Sequence, residues 1–205
     1  PNIVRVLERG EYEGKLFIVM EFLEGKTLED KIKQERPIPM DECLFIMKQI
    51  SEALTLIHSQ EVIHRDLKPS NIMLITSNGK DNVVKLLDFG LSKVWYYSRL
   101  TSTGITMGTL GYQAPEQITH LNVSLASDIY ALGKVFYELI TGGILYETDS
   151  VATMVERIIG SDVRPAKELR PDIPEKLNDL IKAMLSRNPD SRPTAAEVVK
   201  ELKKI

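Results

Sequence analysis

The run His64-Arg65-Asp66-Leu67-Lys68-Pro69-Ser70-Asn71 sets an acid, a cation and an amide in close succession. Any one of them in a polar loop is ordinary. Together they could orient an attacking oxygen and offset negative charge on a bound group. A second acid follows in Asp88-Phe89-Gly90, directly after the strand-like stretch Val83 to Leu87. Alone, that tripeptide is only a plausible turn. A third block, Gly108 to Glu116, ends in Ala114-Pro115-Glu116, and a further acid, Asp128, stands in an otherwise apolar stretch. A carboxylate in such surroundings must find hydrogen bonds or shift its pKa, unless it lies near enough to a helix start to face water.

The elements that must position these residues can be read from periodicity. Ile3 to Leu7 and Leu16 to Phe22 read as two strands, rich in branched and aromatic residues and separated by a turn through Gly10 and Gly14. From Met40 to Gln60 the apolar residues Cys43, Ile46, Met47, Ile50, Leu54 and Ile57 recur at helical steps, giving one buried face. Short strands are expected at Val62 to Ile63, Ile72 to Ile75 and Val83 to Leu87, the last two joined across Ser77, Asn78, Gly79 and Lys80. Trp95 to Gln113 is polar and aperiodic, and is expected to be a loop. The helix from Ser127 to Thr141 is apolar on every side, which marks it as the buried centre, with Gly142 and Gly143 stopping it. Further helices are expected at Val151 to Ile159, Glu175 to Ser186 and Ala195 to Lys203, the last opened by the capping pair Thr194 and Glu197.

The bulk composition limits the partners. At 205 residues, 43% hydrophobic and 27% charged, the chain can bury one substantial core. A formal net charge of -3 supplies no basic field for nucleic acid or anionic lipid. Cys43 is the only cysteine, so a disulfide within the chain and a thiolate-rich metal site are both excluded, and a reducing cytoplasmic location fits. No apolar run reaches the length of a membrane span, because Lys134 and Glu138 interrupt the most hydrophobic stretch.

The motifs in this order resemble the catalytic domain of eukaryotic-type protein serine/threonine kinases, and the run Gly111 to Gln117 resembles bacterial members. The resemblance covers almost the whole chain. It implies an α+β, protein kinase-like fold: 1–23 as the last strands of the small lobe and the hinge, and 24–205 as a mainly α-helical large lobe. That lobe would carry the catalytic loop at 64–71 and the activation segment at 88–116, with the small N-terminal lobe largely absent and expected upstream of Pro1. In the family, the residue matching Asp66 orients the substrate hydroxyl and takes its proton, that matching Lys68 contacts the transferring phosphate, and those matching Asn71 and Asp88 bind magnesium. The implied cofactors are ATP and Mg2+, and the implied partner is a protein substrate. Met20, as gatekeeper, with Glu21, Leu23 and Met73, matches the adenine site, while Thr27 stands where many kinases place an acidic ribose contact. Glu116 is expected to pair with Arg192, Asp128 to brace the backbone near His64 and Arg65, and Phe89 and Thr109 to support the site.

Arg65 before Asp66 is the arrangement of kinases switched on by phosphorylation, and Thr101, Thr103 and Thr106 are the candidate sites, with Lys93 assisting Arg65. Lys68 and Thr109 match the serine/threonine class. Ser70 replaces the carboxylate that often accompanies a preference for basic peptides. His58, His120 and Cys43 suggest no partner set of their own. The chain contains no glycine-rich phosphate loop, no strand lysine of the Val-Ala-Ile-Lys type and no partner glutamate, so it is expected to be inactive alone. The alternatives are a pseudokinase or scaffold that only binds, and a small-molecule phosphotransferase.

Overall fold

The computed structural model describes residues 1–77, 79–87, 110–119, 122–146, 148 and 150–205. The chain opens with a two-stranded antiparallel hairpin, β1 (Val6–Tyr12) and β2 (Lys15–Met20). Here the sequence expectation is corrected: β1 runs on to Tyr12, and the turn is the tight pair Glu13 and Gly14, both at positive φ. Glu8, Arg9 and Glu11 read as loop because they are charged, yet backbone pairing alone holds them in the strand, where both faces are largely exposed. Ile3 does not join that hairpin. It bridges in parallel to Leu86, with the Val4 N–H donating to the Leu86 carbonyl at 3.0 Å and the Leu86 N–H to the Asn2 carbonyl at 2.9 Å.

A second sheet, in the order β3-β4-β5, consists of β3 (Gly25–Thr27), β4 (Ile72–Ser77) and β5 (Lys80–Leu86), all antiparallel. Gly25 is required by close approach, since a Cβ there would stand 2.2 Å from the Leu74 carbonyl oxygen. Val62 and Ile63 form no strand. The helices are α1 (Leu28–Gln34), α2 (Met40–Ser59), α3 (Pro115–Thr119), α4 (Leu125–Thr141), α5 (Val151–Gly160), α6 (Ala166–Leu169), α7 (Glu175–Met184) and α8 (Ala195–Leu202). α1 was not legible from periodicity, being short, but Thr27 and Asp30 cap it reciprocally.

The core is built around α4, in which every residue from Ser127 to Ile140 is buried, with α2 and α7 packed against it. Gly142 ends α4 at φ 70, in the left-handed conformation that glycine adopts without strain. α8 opens with the reciprocal Thr194 and Glu197 cap and lies against α2.

Candidate active site

The loop between α2 and β4 is tied together by Asp66. Asn71 sits in a single 3-10 turn, Pro69–Asn71, and its Nδ2 donates to the Asp66 carbonyl at 2.8 Å and to Asp66 Oδ2 at 2.9 Å. Lys68 Nζ approaches the same Oδ2 at 2.9 Å. An acid, an amide and a cation are thus brought together, with one carboxylate oxygen, Oδ2, taking both side-chain contacts. Because Asn71 commits its nitrogen to Asp66, its amide oxygen is the atom left for a cation.

Asp128 holds the start of this loop from below. It lies in the first turn of α4 and is 2% exposed, and its carboxylate accepts the His64 N–H at 2.7 Å on Oδ2 and the Arg65 N–H at 2.9 Å on Oδ1. His58, for which the sequence suggested no partner, reaches the same Oδ2 through Nε2 at 2.9 Å. Only the tertiary fold reveals that link, since α2 and α4 are far apart in sequence. Arg65 has φ 72, a left-handed conformation that costs a non-glycine residue about 1–3 kcal/mol and persists only when its surroundings fix it. The two N–H bonds to Asp128 are that fixation. His64 is fully buried.

The segment 110–119 faces the loop. Tyr112 and Gln113 line one small cleft together with Asp66, Leu67 and Asp128. The Tyr112 hydroxyl donates to Glu138 of α4; burial raises the Glu138 carboxyl above its usual range, and that hydrogen bond offsets part of the rise. Glu116 and Arg192 form a two-point pair, NH1 to Oε1 at 2.7 Å and NH2 to Oε2 at 2.9 Å. Ser127 Oγ adds a bond to Glu116 Oε1 at 2.8 Å, and Arg192 also donates to the carbonyls of Ala126, Ser186 and Arg187. Burial draws the Glu116 carboxyl upward, but the hydrogen bonds from Arg192 and Ser127 outweigh it and hold the group below its ordinary value.

At the other end of the chain, Met20 closes β2 and the residues Glu21 to Leu23 run on without regular structure. The Glu21 N–H donates to the Arg5 carbonyl at 2.9 Å, and its side chain accepts from Lys85 at 2.7 Å. Among the described residues no hydrogen bond uses the backbone of Leu23. Thr27 pairs in register with Met73 across β3 and β4, so these two residues adjoin. Thr27 also caps α1: its Oγ1 accepts the Asp30 N–H at 3.0 Å, and its hydroxyl donates to Asp30 Oδ2 at 2.6 Å. Asp88, Phe89, Lys93, Thr101, Thr103, Thr106 and Thr109 lie outside the described residues. No helix among the described residues is long and apolar enough to cross a membrane.

This geometry can be set beside known proteins. The family model for the protein kinase domain matches residues 1–202. The chain belongs to the protein kinase family. Its curated relatives identify it as a kinase domain of the eukaryotic serine/threonine type. A probable serine/threonine-protein kinase of Clostridium perfringens is 38% identical over 206 residues, covering 100% of this chain and 30% of that protein. Serine/threonine-protein kinase pkn3 of Myxococcus xanthus is 37% identical, covering 98% and 38%. Serine/threonine-protein kinase PrkC of Bacillus subtilis is 34% identical, covering 96% and 30%. The kinase domain described here therefore spans about a third of the length of these relatives. Its fold is also that of the crystal structure of Rad53 1-466 in complex with AMP-PNP, at a TM-score of 0.80 and 30% identity, covering 98% of this chain and 50% of that one.

Proposed function

We propose that the protein containing this chain transfers the γ-phosphoryl group of ATP to serine or threonine hydroxyls of protein substrates in the cytoplasm. The observation that carries the reading is Asp66 Oδ2 held by both Asn71 Nδ2 and Lys68 Nζ, which orients the carboxylate and leaves its second oxygen to receive a hydroxyl proton. Asp66 is the base. Lys68 meets the transferring phosphate, and the Asn71 amide oxygen with the Asp88 carboxylate would hold Mg2+, a donor set of hard oxygens that suits this ion. When bound, the ion offsets charge on the phosphate oxygens. The adenine ring is assigned to the edge formed by Met20, the backbone of Glu21 and Leu23, and Met73, with Thr27 beside the ribose.

The supporting roles follow from the same reading. His64, Arg65 and Asp128 set the loop, Glu116 and Arg192 anchor the end of the activation segment, and Phe89 and Thr109 lie on its course. Thr101, Thr103 or Thr106 carries the activating phosphate, paired with Arg65. The 205 residues hold no glycine-rich loop and no strand lysine, so 1–23 is read as the hinge edge of a small lobe and 24–205 as the large lobe. Losing one preorganised donor costs about 10² to 10³ in rate, and with several missing this chain alone has negligible activity. A pseudokinase that only binds is disfavoured because Asp66, Lys68, Asn71 and Asp88 are all retained.

The test is Asp66→Asn in the full-length protein, followed by transfer of labelled γ-phosphate to casein and by nucleotide binding. Transfer should fall by about 10² to 10⁴ while ATP binding persists. An Asp66→Asn protein that phosphorylates casein at the wild-type rate would end this reading.

A further inference from the structure

Lys134 stands in the middle of α4, between Gly133 and Val135, where every neighbouring position is buried. It is itself 3% exposed. An apolar side chain would pack there without the cost of desolvating a charge, so the lysine lowers stability relative to its alternatives and calls for another reason. Its contacts supply one. Nζ donates to the Gly111 carbonyl at 2.6 Å and, more weakly, to the Gln113 carbonyl at 3.4 Å. It also lies 4.9 Å from the ring centre of Tyr130 and 5.0 Å from that of Tyr146, so the ammonium is caged by two aromatic rings.

The titratable and charged groups on the elements packed around it can be named in turn. From α4 these are Tyr130 and Glu138, the latter turned to Tyr112. From the segment before α3 it is Tyr112. From α3 it is Glu116, already paired with Arg192 and Ser127. From the turn preceding α8 it is Arg192, whose guanidinium lies 4.9 Å from the same Tyr130 ring, and from the stretch after α4 it is Tyr146. Among the described residues no carboxylate lies within ion-pair distance of Lys134. Burial pushes its amine down to about 7.

The turn that Lys134 grips is one wall of the cleft beside Asp66, to which Tyr112 and Gln113 contribute. We infer that Lys134 is a positioning residue: its caged ammonium holds the Gly111–Gln113 turn from beneath and so sets the affinity for the protein substrate presented to Asp66. This rests on the kinase reading above. The neutral amine has one hydrogen fewer and loses its attraction to the rings, so the grip loosens as the proton leaves.

In the full-length protein, KM for casein and KM for ATP are compared between wild type and Lys134→Met from about pH 6 to about pH 9, a range that spans loss of the Lys134 proton. The wild-type KM for casein should rise about fivefold across it, equivalent to about 1 kcal/mol of lost cation–π attraction. Lys134→Met should show the raised value throughout with a flat profile, and its KM for ATP should match wild type. Equal casein KM values and equal profiles overturn the inference. Amide hydrogen exchange of residues 110–114 in the same proteins separates this outcome from failure of the kinase reading. If wild type transfers no phosphate, that reading falls, while pH-dependent protection of this turn, absent in Lys134→Met, still upholds the role of Lys134; equal protection in both proteins overturns it. If Lys134→Met does not fold, Tyr146→Leu removes one wall of the cage and keeps the lysine: its casein KM at about pH 6 should rise toward the alkaline wild-type value with KM for ATP unchanged, and a casein KM equal to wild type overturns the inference.

Discussion

Arg192 and Glu116 meet through two parallel hydrogen bonds although 76 residues separate them, and the arginine side chain is 0% exposed. The pair ties the turn before α8 to α3. Arg192 also closes the carbonyls of Ala126, Ser186 and Arg187, so it knits four pieces of chain with one planar group.

Removing it strands a buried carboxylate. Arg192→Ala should therefore lower the unfolding free energy by about 3–5 kcal/mol, the usual cost of breaking such a pair from one side. Urea unfolding followed by circular dichroism reads this directly, and an unchanged midpoint would refute it.

Asp128 predicts a different signature. Asp128→Asn keeps size and polarity but turns an N–H₂ toward N–H donors that the carboxylate accepted. Stability should fall by about 1–3 kcal/mol. Release of Arg65 from its left-handed conformation should cost about 10²-fold in kcat, as misplacements near 1 Å do. Steady-state phosphorylation in the full-length protein checks the second figure. A stable but catalytically normal Asp128→Asn would show that the brace is dispensable.

Lys134 imposes a pH dependence on stability with a definite sign. Its ordinary value of 10.5 is lowered to about 7 in the folded chain, so between these limits the unfolded state binds more protons. Stability should rise as pH climbs from about 7 and level off near 10.5, each unit of separation contributing about 1.4 kcal/mol. Lys134→Met removes this contribution, so its advantage over wild type should be largest near pH 7 and shrink toward alkaline pH. Unfolding curves for the two proteins across that range measure the difference, and parallel curves would refute it.

The sequence carried α2 and α4 clearly, because periodicity persists over many turns and α4 is apolar all round. It did not carry α1, α3 or α6, which are too short for a period to declare itself. β1 was cut short because charged strand residues with both faces in solvent resemble a loop. In the site, Asp66, Lys68 and Asn71 were legible because they are close in sequence. His58 was not, since its link to Asp128 spans 70 residues. Lys134 does carry a signal in the sequence, since a lysine amid the apolar residues of α4 is unusual, but its partners Gly111 and Gln113 lie 23 and 21 residues away.

The end of β5 joins strands that the sequence separates widely. Leu86 holds Asn2 and Val4 on one edge and Ile72 on the other, and the next N–H, that of Leu87, donates to the Asn71 carbonyl at 2.9 Å. The first residues of the chain, the amide beside Asp66 and the approach to Asp88 are thus stitched by one short ladder. Opening the ladder at Leu86 would free all of these stretches at once. Fraying of the chain's first residues and release of the Asn71 carbonyl would then be one event rather than two.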